Sequence, residues 1–253
     1  MANTASLLLP VSNLLAEHEL TAIGPLQFAA LTAVPALISV VVPAIIVFLV
    51  FRRDLLVHYR TEPGDVQKDR VLLIASGVVV ALLMPSLVSG LEVWIPTVIV
   101  AVVLGGFFLV RRRSILRFGL LPWQLVLPAS GLFLVVEAAH SLGLGMLLTT
   151  ISGTGHDPLS LLRLVGVATF SANAIDNLPA CLALEPVAGD PVRLAALLIG
   201  VNVGSLITPW ASLATLLWHD RLRALDVEIS WRRYGLIAAP VTVTLATLGL
   251  ASA

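Results

Sequence analysis

The chain has 253 residues, of which 58% are apolar and only 12% charged, with no net charge. A soluble core of this length cannot enclose so much apolar surface, and a neutral chain offers no field for a nucleic acid or another polyanion. One cysteine, Cys181, excludes an internal disulfide, and the first residues lack a basic leader, so no signal peptide is expected.

In chain order, residues 1–16 form a short apolar segment broken by Ser6, Pro10 and Asn13. Gln27 to Phe51 reads as a spanning helix despite Pro35 and Pro43, which packed membrane helices tolerate. Residues 52–70 are polar and carry five Lys/Arg. Spans follow at 71–91 and 93–110, then Arg111, Arg112, Arg113 and Arg117, then a span over Trp123–Leu148. The loop 149–158 has no Lys or Arg. Leu159–Val187 and Pro191–Trp218 are apolar but interrupted, 221–233 is polar with four Arg, and Tyr234–Leu250 reads as the last span.

The Lys/Arg-rich loops 52–70, 111–121 and 219–233 are expected on the cytoplasmic side. The loop 149–158 then lies outside, and an odd number of crossings must separate it from 219–233. Two apolar segments fill that interval, so one must enter and leave on the same side. The better candidate is Leu159–Val187, whose middle reads "SANAIDNLPA", from Ser171 to Ala180. Irregular polar backbone at membrane depth survives only under a cover of protein or water, so this segment reads as a re-entrant hairpin. Pro191–Trp218 then crosses inward, with "NVGSLITP" as an unwound stretch and Gly204 and Pro209 as its breakers.

That stretch has a counterpart. "NTASLLLPVSNL" (Asn3 to Leu14) and "NVGSLITPWASL" (Asn202 to Leu213) match without a gap at five of twelve positions: Asn3/Asn202, Ser6/Ser205, Leu7/Leu206, Pro10/Pro209 and Leu14/Leu213. By the same orientation count the two cross in opposite directions, the pattern of an inverted repeat whose discontinuous helices meet near the midplane. The fold expected is an all-α polytopic membrane carrier with a re-entrant hairpin and discontinuous helices, its first repeat incomplete. Residues 1–26 are the remnant of the first broken helix and its outer loop. Scaffold helices occupy 27–148, the second-repeat transport unit 149–233, and a C-terminal helix 234–253. The second copy has a hairpin before its broken helix and the first has none. A further hairpin and scaffold, on the order of 100 residues, is therefore expected upstream or on another chain.

"NTASLLLPVSNL", "SANAIDNLPACLAL" and "GVNVGSLITPWASLATLLW" resemble signature segments of the arsenical pump membrane protein family, within the wider ion transporter superfamily of citrate, dicarboxylate and sodium/proton carriers. The resemblance extends through "PWQLVLPASGLFLVVEAA" and the "ISWRRYGLIAAPVTVTLATL" tail, and is to the C-terminal three-fifths of such proteins. It implies a multi-pass cell-membrane protein exporting arsenite and antimonite, with protons or sodium as coupling ions. A homodimer and a cytoplasmic ATPase are candidate partners. No cofactor, metal centre or nucleic acid is implied. Where such proteins often show Asn-Asn-x-Pro, this chain has Asp176-Asn177-Leu178-Pro179.

The candidate solute-binding residues are Ser171, Asn173, Asp176 and Asn177 at the hairpin tip, and Asn202, Ser205 and Thr208 on the facing break. Asn3, Ser6, Ser12 and Asn13 form the inverted counterpart. Asp176 could exchange a proton, because an ionisable group at membrane depth is a functional candidate by default. Glu137 and His140, at helical i, i+3 spacing, are the other proton-coupling candidates, against a self-neutralising pair within the bundle. Arg163 and Arg193 flank the hairpin and are expected to snorkel to the headgroups. Cys181 alone cannot supply the two or three thiolates of a tight trivalent-arsenic site, so hydroxyl, amide and backbone contacts to neutral arsenous acid are expected, with Cys181 as core packing. Three alternatives stand beside arsenite efflux: a sodium/proton antiporter, a citrate/dicarboxylate-type anion carrier, and an inactive or partner-dependent half-transporter. No basic cluster at either break matches a di- or tricarboxylate. Enzyme motifs are absent: there is no His-Glu-x-x-His and no Gly-x-Ser-x-Gly.

Overall fold

In a computed structural model of the protein, residues 25–55, 69–87, 91–92, 94–116, 123–223, 225–232, 234–235 and 238 are described. Every regular element among them is helical: α1 Pro25–Leu55, α2 Arg70–Leu87, α3 Trp94–Arg111, α4 Trp123–Ser141, α5 Leu144–Ser152, α6 Pro158–Ile175, α7 Asn177–Ala188, α8 Pro191–Gly204 and α9 Leu213–Arg223, with 3-10 turns at Arg113–Ile115 and Pro209–Ala211. Segments of α1 (Thr32–Arg53), α3 and α6 are each long and apolar enough to cross a membrane. Residues 1–24 and 241–253 lie outside the described residues, and with them the first-repeat candidates Asn3, Ser6, Ser12 and Asn13.

The chain divides into two compact units, 54–124 and the remainder. The smaller unit is an antiparallel pair, α2 and α3. Asp69 ties its ends together, accepting from the Leu72 N–H at 3.1 Å and from Arg111 Nη1 at 3.0 Å. These contacts, the Leu72 amide first and then Arg111, hold the Asp69 carboxyl below the usual range. The outward side chains, Leu73, Ile74, Val102 and Val110 among them, are apolar, as a lipid-facing surface requires.

The larger unit is built around α6, α7 and α8. Every position of α8 from Arg193 to Gly204 is buried, as expected of a helix apolar on all faces but for Arg193 and Asn202. It runs parallel to α6 at close range. A Cβ on Gly200 would come within 2.5 Å of Ala168 Cβ, and one on Gly204 within 2.5 Å of Thr169 Oγ1. The spacing Gly200-x-x-x-Gly204 thus lets two backbones approach as only small residues permit, and Thr169 Oγ1 donates across the seam to the Gly200 carbonyl at 3.2 Å. Helix α7 returns antiparallel and completes the core with Ala180, Cys181, Ala183 and Leu184. Cys181 packs there, fully buried.

The structure differs from the expected single span over Trp123–Leu148. The helix breaks between α4 and α5 with an 85° bend, because Gly143 takes a left-handed conformation (φ 95°) that residues with a Cβ avoid. Helix α8 alone, at 14 residues, is also short for a crossing.

Candidate functional site

Two chain breaks meet at one end of the hairpin. The first is Asp176, between α6 and α7. It is not a glycine, yet it adopts φ 82°, ψ 154°, a region that residues with side chains almost never enter. It caps α7, accepting from the Leu178 N–H at 3.2 Å, and the Leu213 N–H at the start of α9 also faces its carboxylate. Asp176 therefore sits at the N-termini of two half-helices, where unpaired N–H groups and the helix dipoles favour a negative charge.

The second break separates α8 from α9. The helix stops at Gly204, unwinds through Ser205–Thr208, makes a 3-10 turn at Pro209–Ala211 and resumes at Leu213. Proline has no N–H to continue a ladder, and the chain before it is pushed into extended geometry, as Thr208 shows at φ −116°, ψ 145°.

Asn173 joins the two breaks. Its Nδ2 donates to the Thr169 carbonyl and to the Gly204 carbonyl, both at 2.8 Å. Its Oδ1 accepts from the Thr208 N–H at 3.0 Å and from Thr208 Oγ1 at 2.7 Å. Its backbone carbonyl accepts from the Trp210 indole at 2.9 Å. The structure thus gathers Asn173, Asp176 and Thr208 from the two segments. Ser205 is buried on the same stretch and donates to the Asn202 carbonyl at 2.9 Å. Asn202 is 1% exposed, and its Nδ2 has no hydrogen-bond partner among the described residues. Ser171 and Asn177 are half-buried beside the tip.

The other end of the hairpin is its mouth. Arg193 is only 2% exposed, not at a headgroup surface as the sequence suggested, whereas Arg163 is exposed. The Arg193 guanidinium donates to the carbonyls of Gly155 (2.8 Å), Gly153 (2.6 Å), Ala188 (3.2 Å) and Val187 (3.4 Å). The first pair precedes α6 and the second ends α7, so one side chain bridges the two limbs of the hairpin. The planar fork of arginine makes this possible, and three of the carbonyls it satisfies, Gly153, Val187 and Ala188, lie at helix C-termini that favour a cation. His156 and Asp190 add a second tie at 2.8 Å. Asp157 caps α6 through Ser160, whose hydroxyl and N–H lower its carboxyl below the usual range.

Glu137 and His140 are not hydrogen-bonded to each other. Glu137 is exposed, and the enclosed Nε2 of His140, at the end of α4 beside the Gly143 break, has no partner among the described residues. No group of three or more metal-binding side chains occurs among the described residues.

The family model described as "Arsenical pump membrane protein" matches residues 1–252. The chain belongs to the arsenical pump membrane protein family. Curated family members named "Arsenical pump membrane protein" from Escherichia coli K12 and Shigella flexneri are each 29% identical over 278 residues, covering 99% of this chain and 65% of the relative. One from Yersinia enterocolitica is 29% identical over 280 residues with the same coverage. The chain therefore spans just under two thirds of the length of these relatives. No solved structure matches it. Family membership and its apolar helices place it in the cell membrane as a multi-pass protein.

Proposed function

We propose that this member of the arsenical pump membrane protein family carries arsenite or antimonite out of the cell, and that residues 149–233 form its transport unit. In this reading the α6–α7 hairpin is re-entrant, and the solute lies between its tip and the Ser205–Thr208 break. The observation that carries it is the meeting of two interrupted helices at Asp176, an ionisable residue in a strained backbone conformation at two half-helix N-termini. Asn202 supports it: its buried amide donor has no partner among the described residues, and such a donor is costly unless a solute or a bound water accepts from it. Arsenous acid is a small neutral triol, matched by amide, hydroxyl and backbone groups. A buried single thiol in the core, Cys181, takes no part. Asp176 exchanges the coupled proton.

The test is transport in everted vesicles acidified inside. Arsenite accumulates with the native chain, and Asp176→Asn slows accumulation by about 10-fold or more while leaving membrane insertion intact, as expected when an intramembrane carboxyl is essential. Unchanged uptake in the Asn variant removes Asp176 from the mechanism. Sodium-driven proton movement without arsenite uptake would replace the arsenical substrate altogether.

A further inference from the structure

We propose that Asn173 is a positioning residue: its side-chain amide ties the hairpin tip to the unwound 205–208 stretch and so fixes Asp176, without contacting the solute itself. This rests on the site assignment above and reverses the role the sequence suggests for Asn173.

A carboxamide has two N–H donors and two acceptor lone pairs. All four are engaged in Asn173: Thr169 and Gly204 carbonyls on the nitrogen, the Thr208 N–H and hydroxyl on the oxygen. A solute could use this side chain only by displacing a bond already made. Three of the four bonds reach across 31 to 35 residues of sequence, to the Gly204 carbonyl, which otherwise holds a turn bond from the Ile207 N–H at 3.3 Å, and to the N–H and hydroxyl of Thr208 in the unwound stretch. The indole of Trp210 fastens the Asn173 backbone carbonyl from the same side.

Asp176 lies three residues further on, within one helical turn. A non-glycine residue persists at φ 82°, ψ 154° only when its surroundings over-determine it. The Asn173 bonds are such a restraint on the α6 side of the joint, as the Leu178 N–H is on the α7 side. Tip and break are thereby one body. The contrast, on the helix that ends at Gly204, is Asn202, whose amide donor has no partner among the described residues.

The experiment uses the full chain in vesicles, with Cys181→Ala and Ile207→Cys leaving one reporter thiol in the unwound stretch. Its reaction with N-ethylmaleimide is followed without arsenite. Asn173→Ala raises the labelling rate about 10-fold, the factor carried by one or two net hydrogen bonds, and Thr208→Val, which removes only the hydroxyl contact, raises it about 3-fold. In the same vesicles Asn173→Ala lowers the maximal arsenite rate while KM stays within about 2-fold, because an interaction with the solute itself is not lost. Unchanged labelling in both variants overturns the proposal, as does a KM raised 10-fold at unaltered labelling, which would make Asn173 a ligand. If Asn173→Ala fails to insert, labelling of Thr208→Val decides. Should the native chain move no arsenite, the function proposed above falls, and the labelling rates still decide whether Asn173 locks the tip to the break.

Discussion

The two ends of the α6–α7 hairpin are built from opposite chemistry. At the mouth a buried cation, Arg193, meets four carbonyls from both limbs. At the tip an anion, Asp176, meets the N–H groups of two half-helices. Both charges suit the helix ends they face, and α7 carries one at each terminus. They differ in what is left over. Four of the five N–H groups of the Arg193 guanidinium are engaged by backbone carbonyls, and such a group acts as a strut. Asp176 stands in a backbone conformation that glycine alone adopts without strain, with carboxylate capacity beyond its capping bond. That difference is what supports the proposal that Asp176 serves the solute and Arg193 the scaffold.

The comparison can be broken at either end. The largest effect is expected from Arg193→Met, which leaves carbonyls at the ends of α5 and α7 unsatisfied. We expect a loss of ~3 kcal/mol or more, read as earlier thermal unfolding in detergent, given that each buried acceptor without a donor costs ~1–3 kcal/mol. Arg193→Lys does not restore it, since an ammonium on a flexible stem cannot reach four carbonyls at once. Native-like melting of the Met variant would show that the mouth is not held by this side chain.

A smaller change of opposite sign is expected at the tip. Asp176→Gly relieves backbone strain of ~1–3 kcal/mol and gives up a cap at a cost of a few tenths, so the variant melts later by roughly 1 kcal/mol of stability. Its transport nevertheless falls, because the carboxylate is gone. A variant both less stable and fully active would erase the distinction between strut and site.

The smallest effect concerns acid. Asp157 at the mouth has its carboxyl lowered by Ser160, so its contribution to folding is complete above the ordinary value near 3.8 and disappears as the pH falls through its depressed folded value. Amide exchange in the first turn of α6, corrected for intrinsic rates, should therefore quicken as the pH is brought from 5 to 3. Ser160→Ala should start less protected and respond less. An identical response in the two proteins would detach Asp157 from the stability of the mouth.

Several features of this arrangement are legible in particular residues. The polar interruption "SANAIDNLPA" announces a helix break near Asp176, because a lipid-facing helix has no use for two amides and a carboxyl in a row of turns. Gly204 and Pro209 likewise announce the end of α8 and the turn before α9. Other features are not. The i, i+3 spacing of Glu137 and His140 puts them on neighbouring positions, yet they make no hydrogen bond. Gly143 looks like one more membrane glycine until its positive φ bends the helix by 85°. Gly200 and Gly204 carry a readable spacing, but only the neighbouring Ala168 and Thr169 show which helix they admit.

By itself the sequence determined that the chain is helical and membrane-borne, and where its helices must stop, because hydropathy, proline and glycine act through the local backbone and the surrounding lipid. Whether a polar side chain is a ligand, a lock or a strut depends on how many of its hydrogen-bonding positions distant segments already occupy. That count came only with the tertiary structure: Asn173 saturated across 35 residues, Asn202 with a donor that none of the described residues accepts from, and Arg193 drawn inward by carbonyls up to 40 residues away.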